Sequence, residues 1–119
     1  MNEKKYNLEE RLIDFAVAII NLAENLPNTK SGNHLGSQLL RSGTAPSLNY
    51  GEARSAESKS DFLHKMKVCL KELRETHNCL RILHRGKIYS TEIELLDIIE
   101  ECNELISIFV KSIVTANKN

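Results

Sequence analysis

Residues 58–87 read SKSDFLHKMKVCLKELRETHNCLRILHRGK, and the way this stretch repeats decides the fold. Phe62, Met66, Cys69, Leu73, Thr76, Leu80 and Leu83 recur at alternating steps of four and three, the period of one helix face. Strand alternation would step by two. Ser58 stands three residues before Asp61 in capping-box-like spacing, with aspartate in place of the usual Glu or Gln, so the helix starts there. Arg85-Gly86-Lys87 supplies the end, with glycine as the natural C′ residue.

The same period extends on both sides. Downstream, Thr91 and Glu94 fit a capping box, and a fourth helix follows through Leu95, Ile98, Cys102, Leu105, Phe109 and Ile113. Most of its core positions are doubled: Leu95/Leu96, Ile98/Ile99, Leu105/Ile106 and Phe109/Val110. A globular helix buries a stripe a little over ~100° wide. This width predicts two packing partners, one inside the subunit and one in another copy.

Upstream, Leu8, Leu12, Phe15, Ile19, Leu22 and Leu26 form a first helix, with Ile13, Ala16, Ile20 and Ala23 beside the row and Pro27 as its stop. Between them, Thr29 to Arg54 reads as a second helix despite its glycines. Gly32, Gly36, Gly43, Ser47 and Gly51 recur at helical spacing and form a narrow face against which a neighbouring backbone can close. Pro46 cannot donate to the carbonyl of Ser42, which predicts one helix kinked near Pro46 rather than two helices. Short connections make successive helices antiparallel neighbours. The expectation is an all-α, antiparallel up-down four-helix bundle, one domain over residues 1–119.

Composition agrees and removes other classes. The chain has 119 residues, 41% hydrophobic and 5% aromatic, a profile unlike a disordered tail or a β-sandwich. No apolar run approaches the ~20 residues that cross a bilayer, and the opening MNEKKYNLEE has no apolar segment of a secretory signal. Cys69, Cys79 and Cys102 are odd in number and lack CxxC spacing. Free thiols near packing surfaces in a reducing cytoplasm are expected, with no disulfide framework and no metal site.

Lys plus Arg total 16 and Asp plus Glu total 16, so any electrostatic role must come from how charge is distributed. Turning the third helix by 100° per residue lines up Lys67, Lys71, Arg74, Arg81 and Arg85, with Asn78 among them and His64 at the edge. Such a row can contact phosphates of RNA or DNA without reading bases. It can equally stay solvated, or meet the acidic row Glu94, Asp97, Glu100, Glu101 and Glu104 of the fourth helix within or between subunits. Leu63 and Ile82 lie near the stripe, and no aromatic residue interleaves it for base stacking.

Catalytic patterns are missing. There is no HExxH, Walker loop, GxGxxG or GxSxG, and the single Asp61-Phe-Leu-His64 lacks the second pair that a di-iron bundle requires. His77 and His84 read as half-buried, hydrogen-bonded histidines rather than ligands. No cofactor and no enzymatic activity are expected. On the second helix Gln38, Arg41, Asn49 and Glu52 project from one side, and Glu72 of the third helix is placed to pair with Arg41. These five residues form a polar cluster that specifies the fold or its register.

The stretch QLLRSGTAPSLNYGEARSAESKSDFLHKMKVCLKELRETHNCL, Gln38 to Leu80, resembles the family named after open reading frames in intervening sequences of bacterial 23S rRNA genes. The elements that carry it are Gln38-Leu-Leu-Arg41-Ser42, Asn49-Tyr-Gly-Glu52-Ala53, Ala56-Glu57-Ser58, Asp61-Phe62 and Lys71-Glu72-Leu73; Ala45 stands where the family often has serine. The resemblance implies an up-down four-helix bundle, commonly a pentameric ring, with no established enzymatic activity. Two functions stay open at this point. One is a homo-oligomer that binds RNA or DNA backbone through the basic stripe; the other is a scaffold that docks protein partners.

Overall fold

Asn7 starts the first helix by accepting a hydrogen bond from the N–H of Glu10 at 3.1 Å, satisfying one of the free donors of the first turn. From there the chain forms α1 (Leu8–Glu24), α2 (Lys30–Arg54), α3 (Lys59–Arg85) and α4 (Glu92–Lys118). The computed structural model describes residues 7–119; the charged opening up to Tyr6 lies outside the described residues. No described residue is in a strand. α2 packs against α1 and α3, α3 also against α4, and α1 touches α4 more sparsely. This is the antiparallel four-helix bundle, flattened to 47 × 33 × 19 Å.

The apolar rows meet in one core. Leu12, Phe15, Ile19 and Leu22 of α1 and Leu39 of α2 face Met66, Leu73, Leu80 and Leu83 of α3 and Leu95, Leu105 and Phe109 of α4. Each fully buried side chain of this kind stabilises the fold by about 1.5–3 kcal/mol. Tyr50 sets its ring edge-on to Phe109, centroids 6.0 Å apart, tying α2 to α4. At two of the doubled positions on α4 the second residue, Ile99 or Ile106, is half-buried and packs against the core. Leu96 and Val110 stay exposed, as do Ile13, Val17 and Ile20 of α1.

α2 is uninterrupted through Pro46, which is itself buried. A bend there stands as an expectation from the missing donor. The close approach of backbones is real but shorter than the glycine spacing suggested. Gly32, Gly36 and Gly43 are buried, whereas Gly51 is exposed with nothing within 4 Å of an added Cβ. At 100° per residue the row drifts, and by Gly51 it has turned away from α1. A Cβ on Gly43 would sit 2.6 Å from Cγ2 of Ile19, so glycine is what lets α1 and α2 touch there.

Two helix ends depart from expectation. Gly86 keeps a right-handed conformation, and Lys87, at φ 53°, takes the left-handed C′ position. Ile88 N–H donates to Leu83 O at 3.0 Å and Lys87 N–H to His84 O at 3.2 Å, the paired bonds of a Schellman end. The glycine sits one residue too early to relieve the strain. At the start of α4, Thr91 makes no side-chain cap, and Glu94 accepts instead from the Tyr89 hydroxyl at 3.0 Å. Ser58 does cap α3, accepting from Asp61 N–H at 3.0 Å.

The three cysteines are free and buried. Burial pushes the thiols of Cys69 and Cys102 up to about 12 and raises that of Cys79. They are inert packing groups at neutral pH. Among the described residues no helix is long and apolar enough to cross a membrane, and no cluster of His, Cys, Asp and Glu could hold a metal ion.

Candidate nucleic-acid interface

α3 has its buried row on one side, so the residues a quarter to a half turn away must face out. Lys67, Lys71, Arg74, Arg81 and Arg85 are all exposed along that outer side. Steps of seven residues, as in Lys67, Arg74 and Arg81, drift by only ~20°, which keeps the row lengthwise. None of the five forms an ion pair among the described residues.

The acidic row of α4 does not neutralise the stripe within the subunit. Two of its charges reach α1, Glu94 accepts from Tyr89, and Asp97 and Glu100 are exposed. Glu101 and Glu104 hold Arg11 of α1, with Nη2 donating at 2.6 and 3.1 Å and Nε donating to Glu101 at 3.1 Å. The hydrogen bonds to Glu101 raise the Arg11 pKa above its usual value, against a smaller effect of burial. Arg11 is only 7% exposed and was not singled out from the sequence. The available signal was a lone cation at the edge of the Leu8–Leu12–Phe15 row facing a helix rich in glutamate.

The polar cluster expected on α2 splits in two. Arg41 Nη1 donates to Glu72 Oε1 at 3.1 Å, and its Nη2 donates to Glu75 Oε2. Glu52 pairs elsewhere, accepting from Lys65 Nζ at 2.6 Å, which raises the lysine pKa. Asn49 bonds back to the Ala45 carbonyl of its own helix, and half-buried Gln38 joins neither pair. The Arg41 side chain is 51% exposed, so water screens its pairs and each contributes under about 1 kcal/mol. The buried polar contact lies one residue on. Thr76 Oγ1 donates to Ser42 Oγ at 2.8 Å, with the Glu72 carbonyl at the same distance as its alternative acceptor, and both residues are 0% exposed.

Histidines border the stripe. His77 is half-buried, and burial followed by the nearby Arg81 charge lowers its pKa from the ordinary 6.5. His84 Nε2 lies 3.4 Å from Glu92 across the α3–α4 turn. Two shallow grooves occupy the outer side of α3, one around Ile82 near its end and one around Leu63 near its start.

A family model described as 23S rRNA-intervening sequence protein matches residues 4–111. The chain belongs to that family. This 23S rRNA-intervening sequence family member is also similar to a crystal structure from Bacteroides thetaiotaomicron, described as a protein with unknown function from the S23 ribosomal protein family. The two are 33% identical, the match covers 89% of this chain and 97% of that one, and the TM-score is 0.82. No curated protein matches the chain. Within the intervening-sequence protein, the family-like motifs divide between jobs. Arg41, Glu52 and Glu72 join neighbouring helices by ion pairs, whereas Lys71 of the same signature is exposed on the stripe with no ion pair among the described residues.

Proposed function

We propose that this protein is a non-enzymatic, self-associating helical bundle that binds RNA or DNA through backbone phosphates along α3. The observation that carries the reading is a row of five exposed cations with no carboxylate partner among the described residues, while Glu101 and Glu104 of the acidic row hold Arg11. From Lys67 to Arg85 the row spans about 27 Å, enough to follow several phosphates. Exposed Ile13, Val17 and Ile20 on α1, with Leu96, Val110 and Val114 on α4, support burial against sister copies. A pentameric ring is the assembly that the family resemblance favours.

The test is fluorescence anisotropy of a labelled RNA across a salt series, with oligomer mass followed by light scattering. Five phosphate contacts give a log–log salt slope of about −3.5 on a single strand and about −4.5 on a duplex. Substituting K71E, R74E and R81E together removes binding and leaves the oligomer intact. Undetectable binding at low salt by intact oligomer refutes the reading, and a dilute sample that weighs as one chain refutes the self-association. A second reading has its own support, since Asp97 and Glu100 are exposed and unpaired among the described residues. If stripe and acids meet between copies in a protein-docking scaffold, the same triple variant dissociates the oligomer.

A further inference from the structure

The aliphatic residues that interrupt the basic stripe are the ones around which its grooves form. A groove of about 610 Å³ at the C-terminal end of α3 is lined by Asn78, Arg81, Ile82, Arg85 and Gly86. Ile82 is 53% exposed in it. Near the start of α3, Leu63 lies in a groove of about 550 Å³ with Lys59, Lys67, Ser60 and His64. Each groove combines one aliphatic side chain and two cations with further hydrogen-bonding side chains, Asn78 in the first and Ser60 and His64 in the second.

The arginines of the first groove are not consumed by the helix end. The carbonyls of Ile82, Leu83 and His84 already accept from backbone N–H groups of Gly86, Ile88 and Lys87 at 2.9, 3.0 and 3.2 Å. No carboxylate pairs with Arg81 or Arg85 among the described residues. Along a duplex backbone the contacts are polar and charged and the base faces are stacked inside, so an exposed isoleucine among the cations has no base face to cover. An unstacked base provides one. Guanidinium planes offer stacking faces where aromatic rings are absent, and Asn78 carries both a donor and an acceptor for a base edge.

We propose that the Ile82 groove takes one unstacked nucleotide of a single-stranded polynucleotide, its base against Ile82 and its phosphate held by Arg81 and Arg85. The proposal rests on the reading of α3 as a phosphate-binding row and adds a preference for strands over duplexes. That preference runs against simple electrostatics, since the duplex has the denser charge and the steeper counterion release.

The experiment uses the full chain and a fluorescein-labelled 12-nucleotide RNA of mixed sequence, alone and annealed to its complement, at one salt concentration. Wild type is expected to hold the strand about fivefold or more tighter than the duplex. I82S is expected to lose that margin, and I82W to widen it about fivefold or more through ring stacking, both with duplex binding unchanged. Circular dichroism melts confirm that the variants fold, which the exposure of Ile82 favours. Duplex binding as tight as strand binding in wild type, or a ratio that neither variant moves, overturns the groove assignment while backbone binding stands. No binding of either RNA by wild type overturns both.

Discussion

Replacing Gly43 by alanine tests the contact that brings α1 against α2. Two opposed effects are in play. Alanine inside a helix is favoured over glycine by about 0.5–1 kcal/mol. Against this, a Cβ at position 43 would lie 2.6 Å from Cγ2, 2.8 Å from Cγ1 and 3.1 Å from Cβ of Ile19, a residue with no exposed surface. Ile19 is wedged in the core and cannot swing aside, so the helices must separate, and overpacking of this kind costs about 1–3 kcal/mol. The net expectation for G43A is destabilisation by about 1–2 kcal/mol, a fall in Tm of about 4–8 °C for a domain of this size. G51A is the internal control, because nothing lies within 4 Å of its Cβ and only the helix preference acts. It should stabilise by about 0.5–1 kcal/mol. G36A falls between, since its nearest neighbours at 3.5 and 3.7 Å are ordinary contacts. The assay is urea and thermal unfolding followed by circular dichroism. I19A removes both Cγ atoms, so in a double-mutant cycle its cost should shrink by about 1 kcal/mol or more in the G43A background. A G43A protein as stable as wild type, or G43A and G51A shifting alike, refutes the argument.

Lys87 holds the left-handed C′ position that glycine fills without strain, so K87G should raise stability by about 1 kcal/mol in the same melts. His77 has a folded-state pKa below its unfolded value, so the unfolded chain binds the proton more readily. Stability should therefore fall as pH drops below about 6.5, and H77Q should flatten that slope in melts taken across pH. T76V leaves the buried Ser42 hydroxyl without its partner and should cost about 1–3 kcal/mol, while adding S42A should recover part of the loss, as chemical denaturation can show.

Helix identity was legible because it depends on local repetition. The steps of three and four in α3 and α4, the stop at Pro27 and the Ser58 cap are written in neighbouring residues, and the core they mark is the core observed. Local signals failed where a competing partner existed. Thr91 and Glu94 have capping-box spacing, but Tyr89 takes the glutamate. Gly86 looked like the C′ residue, but α3 runs one residue further before it turns, and Lys87 carries the strain.

The candidate site was legible only in part. Which side of α3 bears cations follows from the 100° turn per residue, and so could be read along the chain. Whether those cations are free depends on which neighbour the acids of α4 face, and that is fixed by how the helices pack. Arg11, far away in sequence, takes Glu101 and Glu104, and leaves the α3 row open. The sequence by itself therefore determined the helices, their buried faces and the placement of charge, because each depends on residues a few positions apart. Tertiary structure alone decided which charges are cancelled, which glycine is needed and which polar pair is buried, because those depend on side chains brought together from distant parts of the chain.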